Sequence, residues 1–235
     1  MMLSKRMQAV ADLVPQGDCL ADVGTDHGYL PIYLVREKKV RRAIAMDVNE
    51  GPLLRAASHI GEAGLGDLIS VRQSDGLLKL KRGEADLVLI AGMGGALTIR
   101  ILEMGQSLLD EGPGCVKALV LQPQSEIGSV RGYLSDHGWR ICREDMVLED
   151  GKFYPMMEAE RGQERLTYLQ QTYGPRLLEE RNETLSAYLR REEETLRNVA
   201  DKLKASDGGR IRSRLAEVEE RLDENRRAQE ACHYE

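Results

Sequence analysis

Asp22 closes the apolar run Leu20-Ala21, and the chain then breaks into Val23-Gly24-Thr25-Asp26-His27-Gly28-Tyr29. An acid at the end of a buried strand, followed by glycines, is the pattern of a loop at the carboxyl edge of a parallel sheet, where ligands bind and backbone must come close to them. A dinucleotide loop would place a second glycine where Asp26 stands, because its backbone N–H groups face a pyrophosphate. Asp22 and Asp26 would repel that anion and attract a ligand carrying an ammonium, a sulfonium and a ribose. S-adenosylmethionine carries all three. A plain strand-turn-helix remains the alternative at this point.

Three further strand ends carry the same signature. Ala43-Ile44-Ala45-Met46 closes on Asp47, at the distance where a βαβ unit sets an acid against ribose hydroxyls, and no basic residue follows to receive a 2′-phosphate. The alternative for Asp47 is an acid that caps the helix after Asn49-Glu50-Gly51-Pro52. Ile69 to Ser74 ends in Asp75-Gly76, an acceptor for an adenine amino group. Ala85 to Ala91 runs into Gly92-Met93-Gly94-Gly95, where backbone must approach something closely, either a ligand or a packed helix. The expected cofactor residues are therefore Asp22, Gly24, Asp26, His27, Gly28, Asp47, Asp75, Gly76, Gly92, Met93 and Gly94.

Together these residues resemble the Rossmann-like methyltransferases. With Leu3-Ser4-Lys5-Arg6-Met7, Leu30-Pro31, Ala91-Gly92-Met93-Gly94-Gly95 and Leu121-Gln122-Pro123-Gln124 added, the chain resembles the bacterial tRNA (adenine(22)-N(1))-methyltransferases, the TrmK family, over nearly its whole length. The resemblance implies a seven-stranded methyltransferase sheet, a helical coiled-coil-like C-terminal domain, and methylation of adenine N1 in tRNA. It also offers Lys5 and Arg6 as substrate residues.

N1 of adenine is unprotonated at neutral pH and already nucleophilic, so positioning rather than a strong base should dominate. N1 lies on the pairing edge, and the base must be unpaired to be reached. Enzymes that methylate the exocyclic amine commonly carry an Asn/Asp-Pro-Pro-aromatic loop where this chain has Gly92-Met93-Gly94-Gly95. Asp26, His27 and Tyr29 are the expected catalytic side chains, Tyr29 to stack on the base and Asp26 to oppose the charge created on it. Gln122 is expected to read the adenine edge. A packed helix start is the competing reading of His27 and Tyr29.

The elements that must hold these residues follow in order. A helix is expected over 3–14, strands over 19–23, 42–47, 68–73, 86–91 and 118–122, and helices from about Tyr29, over 96–109 and near 126–137. Trp139 to Leu148 and Lys152 to Glu158 flank Asp150-Gly151, a tight-hairpin dipeptide that sets an antiparallel strand into an otherwise parallel sheet. A double Rossmann dehydrogenase would instead continue with a sixth parallel strand.

Beyond residue 160 the composition turns to charge and leucine, so the expected domains are 1–160 and 161–235. Leu185, Leu189, Leu196, Val199 and Leu203, then Ile211, Leu215, Val218 and Leu222, mark two apolar seams folding back on each other around the break at Ser206 to Gly209, with Asn182 and Glu192 on the first seam. Gly174-Pro175 is expected to separate a short helix from the long one.

The 235 residues carry 33 basic and 39 acidic side chains, a net charge of −6. Neither half is basic: 15 basic stand against 16 acidic residues from Arg161 onward, and 18 against 23 before it. That balance predicts weak non-specific and salt-sensitive binding of nucleic acid, and leaves a small-molecule or protein methyltransferase as the alternative. The four cysteines and four histidines are dispersed, which predicts reduced thiols, a cytoplasmic setting and no metal site. No membrane span, no leader and a monomer are expected. An oxidoreductase needs a phosphate-friendly loop that Asp26 opposes, and a non-enzymatic helical interaction protein leaves the four strand ends unexplained.

Overall fold

The computed structural model describes residues 2–205 and 208–233. The chain divides into two units, Met1–Arg165 and Leu166–Glu235.

The first unit is built on β1 (Gly17–Val23), β2 (Val40–Asp47), β3 (Ile69–Gln73), β4 (Leu87–Met93), β5 (Ala118–Pro123), β6 (Trp139–Glu149) and β7 (Lys152–Arg161), in the spatial order β3-β2-β1-β4-β5-β7-β6. The first five strands pair in parallel, and β7 runs antiparallel to both β5 and β6. Asp150 and Gly151 turn that hairpin, both with positive φ (49° and 73°), matching the right-handed twist of the strands they join. Every residue of β5 is buried, as expected of a strand covered on both faces. The chain moves outward from β1 in one direction through β2 and β3 and in the other through β4 and β5. A crevice therefore opens between the carboxyl ends of β1 and β4.

Alternation along the strands sends Leu20, Ala43, Ala45, Leu87, Leu89 and Val120 into one core, against Val10, Leu13, Leu34, Ala56 and Ile60 from the covering helices. Those helices are α1 (Lys5–Leu13), α2 (Tyr29–Arg36) and α3 (Glu50–Glu62). Ser4 caps the start of α1, its Oγ accepting from the Met7 N–H at 3.3 Å. The other end of α1 is held by cations. The Lys39 ammonium donates to the carbonyls of Ala11, Asp12 and Val14 (2.9, 3.0 and 3.1 Å), and Arg143 donates to Leu13 O at 2.6 Å.

The helix expected over 96–109 is two helices, α4 (Gly95–Met104) and α5 (Gln106–Leu109), parted at Gly105. Glycine stands at the break for a packing reason: a Cβ on Gly105 would lie 2.4 Å from Leu77 Cδ1. Helix α6 (Ile127–Asp136) follows β5 and sits by a fully buried ion pair, Arg131 Nε to Glu144 Oε1 at 2.8 Å.

In the second unit, α7 (Tyr168–Tyr173) opens with a capping box between Thr167 and Gln170, and is followed by α8 (Pro175–Glu179), α9 (Glu183–Lys204) and α10 (Gly209–His233). Gly174-Pro175 thus separates two short helices rather than introducing the long one. Asn182 does not lie on the seam either: it is the N-cap of α9, its side chain accepting from Leu185 N–H at 3.0 Å. Helices α9 and α10 run antiparallel, with Leu196, Ala200 and Val218 buried and Val199, Leu203, Leu215 and Leu222 beside them. Glu192, the polar seam residue, accepts from Tyr173 Oη (2.9 Å), Arg221 Nη2 (2.9 Å) and the buried Asn225 (3.0 Å). Ser206 and Asp207 of the expected break lie outside the described residues.

Candidate active site

The loop after β1 is folded by its backbone. The N–H groups of Gly24 and Thr25 both donate to Met46 O, at 2.8 and 2.9 Å, so the chain bends across the end of β2. Gly24 has a φ of 80°, and a Cβ there would lie 2.1 Å from Met93 Cε, so the Met93 side chain takes the space that glycine leaves. The bend leaves Asp22 buried. Burial pushes its carboxyl up to about 6; the Thr25 hydroxyl works against the rise and the nearby Asp47 carboxylate adds to it.

The next residues are held from α3. Asp26 is exposed and bridged: its Oδ1 accepts from Arg55 Nη2 at 2.8 Å, and its Oδ2 lies 3.2 Å from His27 Nε2. His59 Nδ1 lies 2.9 Å from the carbonyl of His27, so that nitrogen carries the proton. The rings of His27, Tyr29 and His59 stack, with centroids 5.1 to 5.5 Å apart and planes within 25°. His27 Nδ1 is buried and makes no hydrogen bond.

Arg6 enters from α1. Its Nη1 donates to Gln122 Oε1 at 2.8 Å, its guanidinium lies 5.4 Å from the centre of the Tyr154 ring, and its backbone N–H donates to Glu149 Oε1 at 3.1 Å. A Cβ on Gly92 would lie 3.6 Å from Arg6 Nη1 and 3.7 Å from Gln124 Nε2, so the bare backbone of Gly92 opens between those two side chains.

A cleft of about 340 Å3 occupies this corner. It brings together Asp22, Gly24, Asp26, His27, Gly28, Tyr29, Gly92 and Arg6 from the residues singled out in the sequence. The others stand elsewhere. Asp47 ends β2, its Oδ1 accepting from Asn49 N–H at 2.7 Å, and its carbonyl accepts from Ser74 N–H, which brings the β3 loop with Asp75 and Gly76 alongside. Asp75 is paired loosely with Arg100 at 3.8 Å. Gly94 precedes α4, whose first N–H groups are taken up by Ser125 Oγ and Glu126 Oε2, so part of the glycine cluster serves helix packing. Lys5 points to Leu148 O and lines a separate hollow with Gln8 and Asp12. Gln122 is fully buried, with both ends of its amide engaged by Arg6 and by the Pro123 carbonyl; it faces Arg6, not open space.

The sequence reading passed over Arg55, His59 and Gln124. The first two sit four residues apart on one face of α3, a spacing that was visible; their partner loop was not. Asp26 therefore does not meet a ligand as a bare charge, and the repulsion of phosphate rests more on Asp22. A buried carboxylate with no basic partner among the described residues, a glycine-lined floor and an unsatisfied His27 nitrogen suit a polar, cationic ligand such as the amino-acid end of S-adenosylmethionine.

The family model of TrmK, tRNA (adenine(22)-N(1))-methyltransferase, matches residues 20–227. The tRNA (adenine(22)-N(1))-methyltransferase of Bacillus subtilis is 36% identical over 228 residues, 94% of each chain. Two solved structures superpose along the chain's length. Sp1610 of Streptococcus pneumoniae in complex with S-adenosyl-L-methionine has a TM-score of 0.85 and 34% identity, covering 97% of this chain and 100% of that one. M. capricolum TrmK in complex with S-adenosyl-homocysteine has a TM-score of 0.83 and 26% identity, covering 99% and 100%.

Proposed function

The chain belongs to the TrmK family of tRNA (adenine(22)-N(1))-methyltransferases, and on that premise we propose how its own residues transfer a methyl group from S-adenosylmethionine to N1 of an adenine in tRNA. The observation that carries the reading is the cleft at the carboxyl ends of β1 and β4, with the buried Asp22 carboxylate under an open glycine floor. When bound, S-adenosylmethionine supplies an electrophilic methyl on a sulfonium.

Asp22 and the loop from Gly24 to Gly28 hold the amino-acid and ribose end, Asp47 the ribose hydroxyls, and Asp75 with Gly76 the cofactor adenine. Gly92 forms the floor beside the reacting position, with Met93 and Gly94 shaping it from behind. Tyr29, stacked with His27 and His59, offers a flat platform for an unpaired base. Its ring fixes the plane of the adenine and so the direction of the N1 lone pair. No side chain needs to remove a proton, because N1 attacks as the free base. Asp26 lies at the same mouth and opposes the positive charge left on the product, at reduced strength because Arg55 shares it. Gln122 acts as a positioning residue through Arg6, and Lys5 remains a candidate for tRNA phosphate.

Among the described residues no group of three or more His, Cys, Asp or Glu could hold a metal, and no helix is long and apolar enough to cross a membrane. A monomer working in the cytoplasm completes the proposal; four cysteines without a disulfide support that compartment. Incubation with methyl-labelled S-adenosylmethionine and unmodified bacterial tRNA, followed by nucleoside analysis and mapping, tests the whole. Label in 1-methyladenosine at position 22 is the expected result. Label in another nucleoside, or none in RNA despite cofactor binding, overturns it.

A further inference from the structure

The ion pair at the mouth of the cleft is placed to exchange partners. Arg55 Nη2 donates to Asp26 Oδ1 at 2.8 Å, and the two side chains are 49% and 66% exposed. A pair so exposed contributes little to stability, so a second anion can take the guanidinium with little loss. Arg55 commits only one of its donor groups to Asp26. Its Nε and Nη1 make no hydrogen bond among the described residues, and Nη1 lies over the bare backbone of Gly51, where a Cβ would stand 3.8 Å from it. Asp26 keeps a second hold if Arg55 leaves, because its Oδ2 lies 3.2 Å from His27 Nε2. The other arginine of the cleft is placed differently: Arg6 is tied by the Gln122 amide oxygen at 2.8 Å and the Tyr154 ring.

A base extruded into a cleft brings its backbone phosphates to the rim. Asp26 by itself would repel them, on a chain whose net charge is already −6. We propose that Arg55 binds a phosphate of the target nucleotide, giving up Asp26 as its partner, and that the freed Asp26 carboxylate then faces the adenine as it becomes cationic. A guanidinium serves both anions, because its planar donors match a phosphate as well as a carboxylate. The exchange falls where the reaction needs it. N1 forms its bond to the methyl carbon with its own lone pair, the S–CH3 bond breaks with its electrons kept by sulfur, and the positive charge passes from the sulfonium to the adenine ring. Before tRNA arrives, Arg55 neutralises Asp26; once a phosphate holds Arg55, the carboxylate acts on that charge undiminished. The inference rests on the proposed function above, in which the cleft receives an unpaired adenine.

The test compares both members of the pair in the whole chain, by filter binding of unmodified tRNA between 50 and 200 mM KCl and by calorimetry with S-adenosylmethionine. Arg55→Gln is expected to weaken tRNA by about threefold to tenfold at 50 mM, to make the slope of log affinity against log salt shallower by about 0.7, the contribution of one phosphate, and to change S-adenosylmethionine affinity by less than about twofold. Arg55→Lys, which keeps the charge and loses the planar donors, should keep the slope and lose less affinity. Asp26→Asn should act in the opposite direction, tightening tRNA because the competitor for Arg55 is gone, while slowing single-turnover methylation at saturating tRNA by about tenfold. If Arg55 only props the loop through Asp26, both variants weaken tRNA alike and the slope stays as it was. That result overturns the exchange, as does an Arg55→Gln protein that binds tRNA like wild type or an Asp26→Asn protein that binds it no tighter. If wild type binds S-adenosylmethionine but methylates no tRNA, the proposed function itself fails; if wild type methylates tRNA and the variants depart from these signs, the failure falls on Arg55 alone.

Discussion

At the scale of single residues, Asp22 sets a pH dependence whose sign is fixed by its burial. Its carboxyl titrates near 6 in the fold and near 3.8 when exposed. The raised value means that the ligand-free protein is best stabilised at this site below about pH 4, and that this contribution is lost as pH rises from there through about 6. A cationic ligand prefers the ionised form, so binding has the opposite slope. S-adenosylmethionine affinity should fall by about tenfold for each pH unit below 6 and level off above it. Calorimetry across pH 4.5 to 8 checks this, with Asp22→Asn expected to bind weakly and to lose the slope. Gly24→Ala belongs at the same scale. The positive φ costs an L-residue roughly 1–2 kcal/mol, and Met93 must move, so the melting temperature should drop by a few degrees while cofactor affinity drops much further. Asp22 and Gly24 were legible because each stands at a strand end with its neighbours in order. Arg55, His59 and the true partner of Gln122 were not, since each is defined by a contact between segments far apart in the chain.

At the scale of elements, the buried pair Arg131–Glu144 joins α6 to β6 under the hairpin that puts β7 into the sheet. Removing one partner strands a charge in the interior, so Arg131→Met should cost about 3–5 kcal/mol in chemical denaturation, and adding Glu144→Leu should return most of it. A double variant as unstable as the single one would show that the pair holds the hairpin by geometry and not by charge. The hairpin itself was readable from Asp150-Gly151, because a turn with two positive φ angles is written in residue type. The helix ends were less readable. Gly105 falls inside the single helix expected over 96–109, and the Leu77 side chain that leaves room only for glycine there belongs to a distant segment. Asn182 fell in step with the leucine seam by spacing alone, yet its amide is worth more as a cap for α9 than as a buried polar group.

At the scale of the whole molecule, an enzyme with a net charge of −6 acts on a polyanion. Long-range attraction cannot bring tRNA to such a surface; binding must come from local contacts that exceed the general repulsion. The succession of strands along the chain and the helical second unit were legible because periodicity and turn chemistry report them, whereas the seven-stranded sheet was implied by the family resemblance. The surface that meets tRNA was not, because many lysines and arginines here pair with acids, and a sequence does not say which ones are spared. The charge balance nevertheless dictates how binding must respond to salt. Each phosphate neutralised on a single-stranded segment contributes about −0.7 to the slope of log affinity against log salt. Three such contacts, a low number for a substrate of this size, give a loss of more than about tenfold between 50 and 200 mM KCl. Filter binding of unmodified tRNA over that range should show at least this loss, while S-adenosylmethionine affinity, which the proposal assigns to the buried Asp22 and its neighbours, should change by less than about threefold. A tRNA affinity indifferent to salt would mean that the substrate is recognised through its bases alone, and Lys5 would then lose its candidacy as a phosphate contact.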